Sequence, residues 1–225
     1  MSPRIGDSGQ AMPLYVVAVT GLLFIALIFF AFGEADVQRN GAQSAADAAA
    51  LAAAKEARSA LEPDLKAHLT DSGYLESVFS TSFPGGPGDT CWKASAFAAL
   101  NKATAVRCRS LSDGRWGYEV SLQSAKGIST GIVPGTEGKK ATAEAVAVVE
   151  PRCTFTAEAE PEPEPTPEPD STPDPEATPD PVPDTPPASI GTVSCDGGRD
   201  WAIDPEDLTG MPDMADLFSV HLAEN

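Results

Sequence analysis

Four cysteines and two histidines are the side chains in this 225-residue chain with the most chemistry open to them. Cys91, Cys108, Cys153 and Cys195 form no C-x-x-C pair, and His68 and His221 lie far from all four in sequence, so a tetrahedral zinc centre has no support. An even number of widely spaced cysteines suits two disulfides formed in an oxidising compartment. Of the three pairings that four cysteines allow, Cys91–Cys108 with Cys153–Cys195 is favoured. The first pair would tie an expected helix over 92–104 to the strand that returns along it. The second would bracket a proline- and acid-rich run and bring the segment beyond it back to the domain. The breaker cluster from Pro84 to Gly88 is followed by Asp89-Thr90-Cys91 rather than the Gly-Lys-Ser/Thr of a phosphate loop, and reads as a plain loop. No nucleophile elbow, HExxH helix or dinucleotide fingerprint occurs. The carboxylates from Glu158 to Glu168 have no pocket that could set one pKa against another. The expectation is a structural protein with no catalytic residue, cofactor, metal or small-molecule substrate.

The elements that would carry such a protein begin with Leu14 to Gly33, twenty residues without a charge. At about 1.5 Å per residue this matches a hydrocarbon core of roughly 30 Å. A signal peptide cleaved after Ala31-Phe32-Gly33 would release a secreted protein, but the apolar run exceeds the roughly 7–15 residues of a usual signal core. A retained anchor is therefore expected. Arg4 and the α-amino group flank one end of the span, Glu34 and Asp36 the other, which keeps residues 1–13 cytoplasmic and places the rest outside. The alanine-rich run after it favours helix, so residues 34–69 are expected to continue the span as a stalk. Its apolar face is mostly alanine and buries little area, so it must lean on its own domain or on sister subunits. Pro63 predicts a kink or a fresh start at Glu62.

Charge divides the rest. Of the net −18, residues 1–156 hold 14 basic and 15 acidic groups, residues 157–187 hold ten acidic and no basic ones, and residues 188–225 hold eight acidic groups against Arg199. A polyanionic C-terminal third with no basic face opposing it argues against nucleic acid as a partner. Residues 157–187 include 12 prolines and a repeat of the type Thr-Pro-Asp/Glu-Pro, which cannot build a core and reads as a disordered linker or loop.

Between anchor and linker, residues 70–156 read as a small α+β domain. A short helix is expected around Tyr74 to Phe79. A longer one over 92–104 would bury Trp92, Ala96, Leu100 and Ala103, with Asp89 or Thr90 as its cap. Strands are expected at Val106–Leu111, Trp116–Leu122 and Thr142–Val149, the second alternating with period two and packing on helix 92–104, with a Gly/Lys-rich loop from Lys126 to Lys140. Residues 188–225 are expected to dock on the domain through a strand at Ile190–Cys195 and a helix that opens at Asp204-Pro205 and carries Met211, Met214, Leu217 and Phe218 on one face.

The N-terminal sixty residues resemble TadE/TadG-like proteins of tight-adherence (Flp) pilus systems, in their actinobacterial form. The residues that carry this are Asp7 to Tyr15, including Gly9 and Tyr15, the apolar span, and Arg39 to Ala54, whose Gln43-Ser44-Ala45-Ala46-Asp47-Ala48-Ala49-Ala50-Leu51 is similar to the family's Q-x-A-A-D-A-A-A-L signature. The resemblance implies an accessory or minor pseudopilin-like subunit in the cell membrane, with pilus or secretion-machine proteins and sister pseudopilins as partners. Members processed as prepilins are cut after a glycine, with Glu and Tyr five and six positions on. Here Gly9 and Tyr15 fit and Leu14 stands at the glutamate position, so the uncleaved TadG-like pattern is the expected one. The rival readings are a cell-envelope binding module carried on the acidic run as a spacer, and the secreted protein released at Gly33.

Overall fold

The computed structural model describes residues 11–86, 88–129, 135, 137–158 and 189–223. Its backbone is one helix, α1 (Ala11–Ala67), 57 residues long and therefore about 85 Å from end to end. The first half of α1 projects. Met12, Leu14, Phe24, Phe29 and Val37 are all more than half exposed, and this helix is the one described element long and apolar enough to cross a membrane. The second half is the spine of the domain, with Ala46, Ala49, Ala50, Ala53, Ala54 and Leu61 completely buried. Pro63 does not end it: α1 continues through the proline to Ala67. Leu61 and Leu65, one on each side of the proline, are both sealed in the core, and that packing outweighs one missing backbone hydrogen bond.

Two further helices, α2 (Ser72–Val78) and α3 (Cys91–Leu100), precede strands β1 (Ala103–Ser110), β2 (Gly117–Ser124), β3 (Thr142–Pro151) and β4 (Cys153–Ala157). After the acidic run come β5 (Gly191–Cys195), β6 (Arg199–Ala202), a single turn α4 (Met214–Leu217) and β7 (Phe218–Leu222). The strands form two antiparallel sheets, a larger one ordered β1-β2-β3-β7 and a smaller one ordered β4-β5-β6. This is an α+β fold in which the long helix lies across the larger sheet.

The register explains where the helix sits. Tyr118, Val120 and Leu122 of β2 pair with Ala147, Ala145 and Ala143 of β3, and Val149 and Ala147 pair on the other side with Val220 and Leu222 of β7. Large side chains on β2 and β7 thus flank a row of alanines on β3, and the alanine face of α1 lies along that trough. Small residues on both surfaces let the two backbones approach closely. The aromatic and aliphatic row of β2 therefore packs on α1, not on helix 92–104 as the alternation suggested.

Helix α3 also differs from its expected face. It ends at Leu100, and it buries Ala94 and Ala98 while Trp92, Phe97 and Leu100 point outward. Its neighbour is the alanine stripe of α1, which admits only another small-residue face. Thr90 stands at the cap position without a side-chain bond, and Asp89 Oδ1 instead accepts from the Cys91 amide at 2.9 Å. The start of the breaker-cluster loop, Pro84 to Gly86, covers the core: a Cβ at Gly85, whose φ is +104°, would sit 2.4 Å from the Trp116 ring. Near the C-terminus the expected long helix is absent. Asp204–Asp207 form turns, with the Glu206 amide bonded to Asp204 Oδ1 at 2.9 Å, and Phe218 opens a strand. The residues Phe218, Val220 and Leu222 alternate with Ser219 and His221, a strand signal that helical spacing through Met214 and Leu217 masked.

Candidate functional site

The residues of the Q-x-A-A-D signature lie on α1 where it enters the domain. Ala45 and Ala46 are buried against the sheet, Leu51 is half-buried, and Tyr15 is exposed on the projecting half; Gly9 lies outside the described residues. The polar members act as a clasp. Gln43 Nε2 donates to the backbone carbonyl of Glu144 on β3 at 3.1 Å, and Asp47 Oδ1 accepts from the same amide nitrogen at 2.9 Å, which aims it. Part of the signature thus serves the chain's own domain: it is what lets β3 lie against the stalk.

A second clasp lies about one and a half to two and a half turns nearer the span, and sequence reading missed it. Glu34 Oε1 accepts from both the amide (3.0 Å) and the hydroxyl (2.6 Å) of Ser129, and Gln38 Nε2 donates to the Gly127 carbonyl at 3.0 Å. The contacts join residues about ninety apart in sequence, with no periodicity to announce them. They bring the domain down to the first residue after the apolar span. The projecting apolar half of α1 is left without any cover from the described chain.

The chemistry-bearing residues are dispersed. Cys91 and Cys108 are joined, with Cα atoms 5.6 Å apart, tying α3 to β1. Cys153 and Cys195 are joined across β4 and β5, where they are direct register partners. His68 stacks on Tyr74 at 4.7 Å between ring centroids, whereas His221 lies on β7 with Nε2 3.7 Å from Glu150. No group of three or more His, Cys, Asp or Glu able to hold a metal occurs among the described residues. Tyr74 donates to Asp64 Oδ2 at 2.5 Å, and burial first, then that bond and the carboxylate's charge, push its phenol well above the ordinary tyrosine range. Such a phenol keeps its proton and acts as a tie between α1 and α2. On the exposed β1–β2 hairpin, hydrogen bonds from Arg109 and Arg115 hold Glu119 and Asp113 below the usual carboxylate range, as surface pairs do.

The acidic run starts and ends at one place. Ala157 is the register partner of Gly191, and the Glu158 amide donates to the Ile190 carbonyl at 3.0 Å. Residues 159–188, which hold nearly all of the expected linker, lie outside the described residues, but the strands on either side of them are neighbours. Beyond them, β5 and β6 complete the smaller sheet and β7 completes the larger one, so residues 189–223 are built into the domain and not carried away from it.

No curated protein and no solved structure gives a significant match to this chain. Residues 9–56 match the family model of Flp pilus-assembly TadE/G-like proteins, a likeness that covers the apolar half of α1 and most of its alanine-rich half, where the clasps to the domain begin.

Proposed function

We propose that this chain is an accessory, minor pseudopilin-like subunit of a tight-adherence (Flp) pilus or a related secretion machine. It is held in the cell membrane by residues 14–33 with the N-terminus cytoplasmic and the domain outside. Its work is structural and not enzymatic. The observation that carries this reading is α1 itself: one unbroken helix, apolar and uncovered over its first half, folded into its own domain over its second, with most of its length in the segment that matches the pilus-assembly family. An uncovered apolar row of that length needs lipid or the equivalent helices of partner subunits around it. The paired strands at both ends of the acidic run speak against a module carried on a spacer, because the C-terminal segment returns to the domain.

The test is affinity purification of the full chain from solubilised membranes of its own host. The pilus motor ATPase or platform protein, or sister subunits, should co-purify. Recovery of the chain alone, from cells in which those proteins are present, would reject the reading. The same sample settles processing. With Leu14 at the glutamate position, an intact N-terminus is expected by mass spectrometry, and a peptide beginning at Gln10 would contradict it.

A further inference from the structure

The end of the domain nearest the apolar span gathers charge that the sequence disperses. Helix α3 runs antiparallel to α1: Lys93 Nζ is 3.4 Å from Glu56, while Lys102 lies beside Val37 and Gly41. Lys102 has φ +57° and turns the chain from α3 into β1, and its carbonyl accepts from the Ala125 amide at 2.8 Å. The chain leaving β2 is bonded to the chain entering β3, through Ser124 to Ala141 at 2.8 Å and Ile128 to Lys139 at 2.9 Å. Lys102, Lys126, Lys139 and Lys140, all exposed and four of the chain's seven lysines, therefore share one end of the domain. With Arg39 they outnumber Glu34, Asp36 and Glu137, the carboxylates of the same stretches of chain, a local excess of cations in a chain of net charge −18. They lie more than sixty residues from the span in sequence, so they do not enter the charge bias that orients it.

Two apolar features accompany them. Leu100, at the end of α3, is 76% exposed. A crevice of about 240 Å³ opens between α1 and the β1 and β2 ends, with Val37, Gly41 and Ala42 as its floor and Lys102 and Lys126 among its walls. Gln38 lines the same crevice, and its Oε1 is buried with no hydrogen-bond partner. The height of this end is set by the Glu34–Ser129 bonds. Gly41 is eight residues past Gly33, about 12 Å along the helix, and the headgroup layer extends roughly 5–8 Å beyond the hydrocarbon. Ammonium groups on flexible stems at this level lie within a screening length, about 8–10 Å, of the lipid phosphates.

We propose that this end of the domain is a seat for anionic phospholipid headgroups, with the lysines holding phosphates. The proposal rests on the reading of α1 as a membrane anchor. The seat fixes the tilt of a domain that would otherwise pivot on a single helix.

The experiment uses the full chain in nanodiscs of phosphatidylcholine alone or mixed with phosphatidylglycerol, read by backbone amide hydrogen exchange. Anionic discs should slow exchange severalfold at residues 100–104, 124–129 and 137–141. The slowing should vanish at high salt and in a K102Q/K126Q/K139Q/K140Q variant. Unchanged exchange in the β2–β3 pairs from Gly117 to Val120 shows that the variant is folded. Equal exchange in the two lipids overturns the proposal, as does a slowing that survives both salt and the substitutions. Alkaline extraction of the same protein from native membranes separates the two levels. A chain released by it refutes the anchor and the seat together, whereas a chain that stays but ignores lipid charge refutes the seat alone.

Discussion

Tyr74 shows how a residue that could do chemistry is used for holding instead. Its ring is covered by His68 and its hydroxyl is given to Asp64, so α2 is tied to the last turns of α1. Tyr74→Phe should lower stability by about 1–2 kcal/mol, the cost of a lost bond to a partly exposed carboxylate. The pH dependence has a definite sign. The folded-state pKa is raised, so the folded protein holds this proton more tightly than the unfolded chain does. The contribution is complete below the unfolded tyrosine pKa of about 10 and is lost as pH rises beyond it. Denaturant unfolding of both proteins near pH 8 and again above about pH 10 should show the Phe variant less stable at the lower pH and the gap narrowing at the higher. A constant gap would mean that Tyr74 contributes packing and no held proton.

At the scale of elements, the parts legible in the sequence were those whose pattern is set locally. The apolar span, the alanine run and the period-two alternation of Trp116, Tyr118, Val120 and Leu122 depend only on neighbours in the chain. What failed depended on the identity of the packing partner. The face of α3 was read from its largest residues, yet the alanine stripe of α1 accepts only Ala94 and Ala98 and leaves Trp92 and Leu100 outside. Pro63 suggested a kink or a fresh start because propensity does not register Leu61 and Leu65 gripping the core on either side. The clasps from Gln38 and Glu34 to residues 127–129 were invisible because their partners are brought there by the β2–β3 connection alone. The smaller sheet yields a direct prediction. Protease nicks within residues 159–188 should leave one band on a non-reducing denaturing gel, because Cys153–Cys195 spans the cut, and two bands after reduction. Two bands without reductant would show that this pair does not form.

For the whole molecule the sharpest contrast is between the two halves of α1, one uncovered and apolar, the other enclosed by sheet and helix. With the proposed orientation, a membrane-impermeant thiol reagent applied to intact protoplasts after mild reduction should label Cys91, Cys108 and Cys195, which are partly exposed. Labelling only after lysis would invert the topology. The neighbouring ends of the acidic run have a consequence of another kind. Since β4 and β5 meet in register whatever joins them, the joining segment is free to vary. Doubling the length of a loop raises its closure cost by only about 0.6 kcal/mol, and a disulfide beneath this one already fixes the ends. Relatives with the same domain can therefore differ widely in the length and repeat number of this run. For the same reason, a reporter or epitope whose own ends lie close together can be inserted between Glu158 and Ser189 without disturbing the stalk, either sheet or the contacts at the membrane end.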